Sequence, residues 1–147
     1  MITAASPYIE ALDKMLNDVE GEAYKIIYSL EQEIISLNQN KQLFEKGINK
    51  KGVRLEPYSP FTIALKKQKG EVFDRTTLLD TGDFYENFYV YARDGKFGVF
   101  SSDAKTPLLT KKYGKDIFGL TTDNEGKIND KVLQQLIEWI FKRLPPV

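Results

Sequence analysis

The chain of 147 residues contains no cysteine and no histidine. Without thiols there are no disulfides, no thiolate metal ligands and no cysteine nucleophile. Without imidazole there is no histidine zinc site and no triad that uses histidine as its base. Catalysis with this alphabet would fall to carboxylates, lysines, tyrosines or a carboxylate-held magnesium ion, and the sequence is read as a non-enzyme with no cofactor and no metal. Long apolar runs are also missing. No stretch reaches bilayer-spanning length, and the amino-terminal residues lack the basic-then-apolar layout of a secretion signal, so a soluble chain with no membrane partner is expected. Net charge is zero, whereas a DNA-binding protein is usually basic.

What is present is a 41% hydrophobic chain, enough to bury the core of one domain, residues 1–147. Its charge is unevenly spread: residues 1–40 carry a net −5, 41–70 a net +6, 71–110 a net −3 and 111–147 a net +2. Blocks of opposite sign suit head-to-tail contact between copies, because complementary potentials set register; the alternative is solvated faces with chance clustering.

Ser6-Pro7 is read as the opening of a first helix, with Gly21 as its break. A second helix is expected from about residue 22 to 40, with Ala23, Ile26, Ile27, Leu30, Ile34 and Leu37 as its main stripe. Tyr24, Tyr28 and Ile35 form another apolar stripe, about 130° round the axis. One face meets the core; the other meets either the first helix or another subunit. Residues 41–59 read as a basic connector, in which Val53-Arg54-Leu55 suits a short strand. Ser59-Pro60 opens a helix that Gly70 ends. FYVYAR, Asp94-Gly95 and KFGVFS form a β-hairpin. Thr106-Pro107 opens a helical turn, DIFGL suits a further strand, and Asp-Asn-Glu-Gly at 123–126 is a turn. Asn129 then caps a last amphipathic helix that Pro145-Pro146 stops, with Trp139 at the edge of its stripe. The fold class is α+β: an N-terminal helical region (1–40), then a core (41–147) with a small antiparallel sheet, its hairpin and a C-terminal amphipathic helix packed on the sheet.

LLDTGDF, residues 78–84, also reads like the catalytic strand of an aspartic protease, in which Asp80 of two copies would share a proton. Two features oppose this. Asp83 adds like charge three positions on, and the residues that follow read as a helical turn that Asp80 or Thr81 caps, with Phe84 and Phe88 pointing inward. A dimeric aspartic-type peptidase using Asp80-Thr81-Gly82, and a generic protein-interaction module, are the alternatives.

The segments Tyr58, Thr62, Lys66-Lys67 and Gly70, then Leu79-Asp80-Thr81-Gly82 with Phe84, then the hairpin, Tyr113-Gly114 and the closing helix resemble the virion-morphogenesis and tail-completion proteins of tailed phages. The resemblance covers residues 43–147. After the hairpin the family usually carries Tyr-Ala, then His or Glu, then Phe-Gly; here only Tyr113-Gly114 and Ile117-Phe118-Gly119-Leu120 stand. The resemblance implies a structural virion protein of the neck or head–tail connector, made in the host bacterial cytoplasm. It would be a homo-oligomer in a six- or twelve-fold ring between the portal and the adjacent neck or tail proteins, through which genomic DNA passes without specific binding. Tyr24, Tyr28, Ile35, the hairpin tip Asp94-Gly95 and Trp139 are the candidate subunit contacts, since Tyr and Trp concentrate binding energy at interfaces.

Overall fold

The computed structural model describes residues 6–144; the expected Ser6 side-chain cap and the Pro145-Pro146 stop lie outside what it describes. Helix α1 runs Ser6–Ser29 and α2 Glu31–Ser36, followed directly by a π-helical segment, Leu37–Phe44. Then come α3 (Pro60–Lys69), α4 (Asp83–Glu86), β1 (Phe88–Arg93), β2 (Lys96–Ser101), α5 (Thr106–Tyr113), a 3-10 turn (Lys115–Ile117) and α6 (Thr122–Arg143). The expected α+β class with a hairpin and a C-terminal helix stands.

The first correction concerns where the leading helix breaks. α1 passes straight through Gly21, since one glycine costs a helix interior only about 1 kcal/mol. The chain yields instead at Leu30, whose ψ is 9°. There the Ser29 hydroxyl donates to the Ile26 carbonyl at 2.5 Å and competes with the helical ladder for that acceptor. The next segment widens into a π-helix: the Glu45 N–H reaches the Asn40 carbonyl, five residues back.

The hairpin forms as expected, with register from Phe88↔Ser101 to Arg93↔Lys96. Asp94 and Gly95 take φ of 53° and 71°, the two positive values that a two-residue turn needs. Burial alternates along β1 and puts Phe88 and Val90 in the core. Tyr91 lies over Gly98 on the neighbouring strand, where a Cβ would overlap its ring.

No third strand forms among the described residues. Val53-Arg54-Leu55 gives one isolated bridge, Ile48↔Arg54. The connector is tied down all the same: the Asn49 side chain accepts from the Lys51 and Val53 N–H groups, and Lys50 N–H donates to the Asp116 carbonyl at 2.8 Å. Gly47 takes φ +61°, and a Cβ there would press on Arg75 and the Thr76 carbonyl at about 3 Å, so the connector turns only on glycine.

DIFGL is buried but is not a strand; side chains satisfy its backbone. Asn38 donates to the Ile117 carbonyl at 3.0 Å and accepts from Gly119 N–H at 2.9 Å. Gln42 donates to the Gly119 carbonyl and accepts from Thr121 N–H, both at 2.9 Å. Two amides four residues apart thus imitate a neighbouring strand. Residues four apart share one helical face, so both amides reach the same stretch of backbone. α6 also starts earlier than expected: Thr121 caps it, its hydroxyl accepting from Asn124 N–H, and residues 123–126 lie inside the helix.

One core collects Ile27, Ile34, Ile35, Leu43, Val90, Val99, Ile117 and Ile128. Phe118 joins it, with Phe84, Phe88 and Phe100 ring centroids 5.7, 5.4 and 4.9 Å away. α6 supplies Ile128 and the partly buried Val132 to this core, then packs along α1; Lys131 pairs with Glu33 where the two helical layers meet.

Asn38→Ala strands a buried carbonyl and a buried N–H together. Each costs about 1–3 kcal/mol, so urea denaturation should show a loss on the order of 3 kcal/mol, and a loss under about 1 kcal/mol would contradict the clamp.

Candidate functional site

Seven of the motif positions converge. Tyr58, Thr62, Asp80, Thr81, Gly82, Phe84 and Tyr113 all line one open cavity of about 280 Å³ between α3, the Asp-Thr-Gly turn and α5. Gly114 ends α5 beside it, with φ 88°.

Local chemistry builds each wall. Ser59 caps α3, its hydroxyl accepting from Thr62 N–H at 3.2 Å, Pro60 fills the first turn and Gly70 closes the helix at φ 71°. Two tyrosine hydroxyls grip one residue opposite. Tyr58 Oη accepts from Thr77 N–H at 3.0 Å, and Tyr85 Oη donates to the Thr77 carbonyl at 2.5 Å. The next residue, Leu78, is buried with φ +61°, a conformation that costs a non-glycine residue roughly 1–2 kcal/mol. The clamp on Thr77 holds that turn and presents Leu78 to the cavity. Burial pushes the Tyr85 phenol well above its ordinary pKa, and the neighbouring Tyr58 adds to the effect, so Tyr85 keeps the proton it donates.

Lys66 is 9% exposed. Its ammonium pairs with Glu71 at 3.3 Å and lies 4.7 Å from the centroid of the Tyr58 ring. At the opposite rim, Lys105 Nζ stands 3.7 Å from Asp80. Phe84, Leu78 and Leu109 make the floor apolar. The cavity can therefore take an apolar side chain with a carboxylate near the rim.

Asp80 is 74% exposed on this rim, where Lys105 meets it. It does not cap α4. The cap position falls to Gly82, at φ 98° with no side-chain cap bond, while the Thr81 hydroxyl accepts from Asp83 N–H at 3.4 Å. Phe84 and Phe88 do point inward.

The subunit-contact candidates are largely occupied within the chain. Tyr24 Oη accepts from Gly95 N–H at 2.8 Å and Tyr28 Oη from Ala92 N–H at 3.0 Å; between α1 and α2 and the same strand, the Glu31 carboxylate takes Val90 N–H. The second stripe is thus engaged by the hairpin, although Tyr28 stays 47% exposed. It covers the open edge of β1, which would otherwise offer unpaired N–H groups to another chain. Tyr24 and Asp94-Gly95, read as separate candidates, meet each other. Tyr24 also donates to Glu20 at 2.6 Å, and that carboxylate raises the phenol's pKa, Gly95 N–H opposing. Ile35, read as a contact candidate, is 9% exposed and belongs to the core. Trp139 is half-buried, its indole N–H finds no acceptor among the described residues, and the Arg143 guanidinium sits 4.2 Å above its ring.

Sequence reading missed Lys105 and Leu109, which reach the cavity from the start of α5 after the hairpin, and it missed Asn38 and Gln42. Asn38 falls four residues after Ile34 on the core stripe, a position where an amide needs buried partners; that was the available signal.

No protein-family model, no curated protein sequence and no solved structure matches the chain.

Asp80→Asn should leave stability within about 1 kcal/mol of the parent, because an exposed ion pair contributes little. Thermal denaturation checks this; a loss above about 2 kcal/mol would mean that Asp80 holds the turn through more than Lys105.

Proposed function

We propose that this chain is a structural subunit that assembles with copies of itself, in the ring of a tailed-phage neck or head–tail connector. The observation that carries self-assembly is surplus apolar surface at two separate places. On α1, Ile9, Leu12 and Leu16 lie open, and α6 adds Leu133, Ile137 and Phe141, the last 69% exposed. Around α3 and α5, Phe61 and Leu108 are 74% and 71% exposed. Patches of this kind in a small chain mark contact surfaces. Two different patches on one subunit suit a head-to-tail contact, which closes into a ring when the rotation permits.

The phage assignment draws on the resemblance of residues 43–147, and the convergence of Tyr58, Thr62, Asp80, Thr81, Gly82, Phe84 and Tyr113 on one cavity supports treating those positions as a unit. In this role the core carries no chemistry: it holds the patches in fixed relation while DNA passes through a ring of subunits that each carry zero net charge. The DNA, the portal and the neck or tail neighbours enter as partners with the ring. No helix among the described residues is long and apolar enough to cross a membrane.

Native mass spectrometry against concentration should show a step from monomer to one closed higher species, weakened by added salt, which screens exposed charges beyond about 8–10 Å. Labelled antibody on tailed particles whose genome encodes the chain should mark the neck. A monomer at every concentration, or label on capsid or tail tip, would overturn the reading.

A further inference from the structure

We infer that the acidic apolar face of α1 seats on the cavity between α3 and α5 of a second copy. This rests on the assembly reading above and names the two surfaces that meet.

The donor face is a stripe. Ile9, Leu12 and Leu16 lie at helical spacing and open to solvent, Leu16 at 71%. Between residues 8 and 22 the helix holds five carboxylates against one lysine, and at 100° per residue Asp13 and Glu20 flank the stripe while the other three lie further round the axis. A symmetric α1-to-α1 contact would set Asp13 and Glu20 against their own copies at a cost. The face calls for a basic partner with an apolar centre.

The chain carries one. α3 and α5 hold five lysines and no carboxylate; of these Lys66 lines the cavity between them, where Lys105 and Asp80 also stand. That cavity of about 280 Å³ has Leu78, Phe84 and Leu109 among its apolar lining, and the exposed Phe61 and Leu108 are the chain neighbours of its lining residues Thr62 and Leu109. Leu16 fits this opening as an anchor. Lys66 is already held by Glu71, whereas Lys105 is 43% exposed against a largely exposed Asp80 and is free to turn to an incoming carboxylate. Because the two faces differ, each bound pair keeps one α1 face and one cavity open, and addition continues until a ring closes.

The absence of cysteine makes the test clean. Leu16→Cys and Leu108→Cys are made as separate proteins, each at an exposed site, with folding checked by circular dichroism. They are mixed and oxidised, and native mass is measured in parallel. A disulfide-linked heterodimer that forms in the mixture, and only weakly in either protein alone, is the expected result. Lys105→Glu in the Leu108→Cys protein should then lower its yield severalfold. If Leu16→Cys alone links to itself as readily as in the mixture, or if assemblies form without any cross-link, this pairing is overturned while self-assembly survives. If the protein stays monomeric and unlinked, both fall.

Discussion

A buried stretch of backbone with no strand beside it must find its hydrogen bonds elsewhere, and in this protein Asn38 and Gln42 supply them. Their amides take the Ile117 and Gly119 carbonyls and the Gly119 and Thr121 N–H groups. Unsatisfied, those groups would oppose burial by about 1–3 kcal/mol each. Satisfied, they fix three things together. Phe118 is placed among the rings of Phe84, Phe88 and Phe100. The connector is held against Asp116 through Lys50 and Lys51. The start of α6 is set too, because Gln42 also accepts from the Asn124 side chain at 3.0 Å. Both amides lie on the π-helical stretch between Leu37 and Phe44, and such stretches in proteins often coincide with a specific task.

With the core closed at that end, the surface divides. The β1 edge is covered from inside by Tyr24, Tyr28 and Glu31, so the sheet offers little to a neighbour along that side. The uncovered apolar residues sit on the outer reaches of α1 and α6 and around α3 and α5. Rigid cores with surplus, oppositely charged surface are what assembly of identical copies needs: the core sets the geometry, and complementary charge sets the register.

Where the signal was local, the sequence was legible. Ser59-Pro60 with Gly70, Asp94-Gly95 between aromatic and β-branched runs, and Thr106-Pro107 each specify their element through neighbours in the chain, and the structure keeps all three. Where a distant side chain decides, it was not. DIFGL has the composition of a strand and lies extended at its end, but its partners are amides about eighty residues earlier. Gly21 looked like a stop because nothing nearby advertised that Ser29 would break the helix instead. The candidate site was half legible: its motif residues are near neighbours in two short segments, while Lys105 and Leu109 arrive only through the fold. The second stripe was seen, yet its purpose depended on where the hairpin would lie.

Hydrogen exchange followed by mass spectrometry, at low and high protein concentration, tests the account most directly. It separates a core that is complete in one chain from surfaces that are complete only between chains. Amides of residues 117–121 should be strongly protected and insensitive to concentration, while the outer part of α1 and the α3–α5 face gain protection as concentration rises. Exchange of residues 117–121 at loop-like rates, or protection of those outer faces that never changes with concentration, would contradict it.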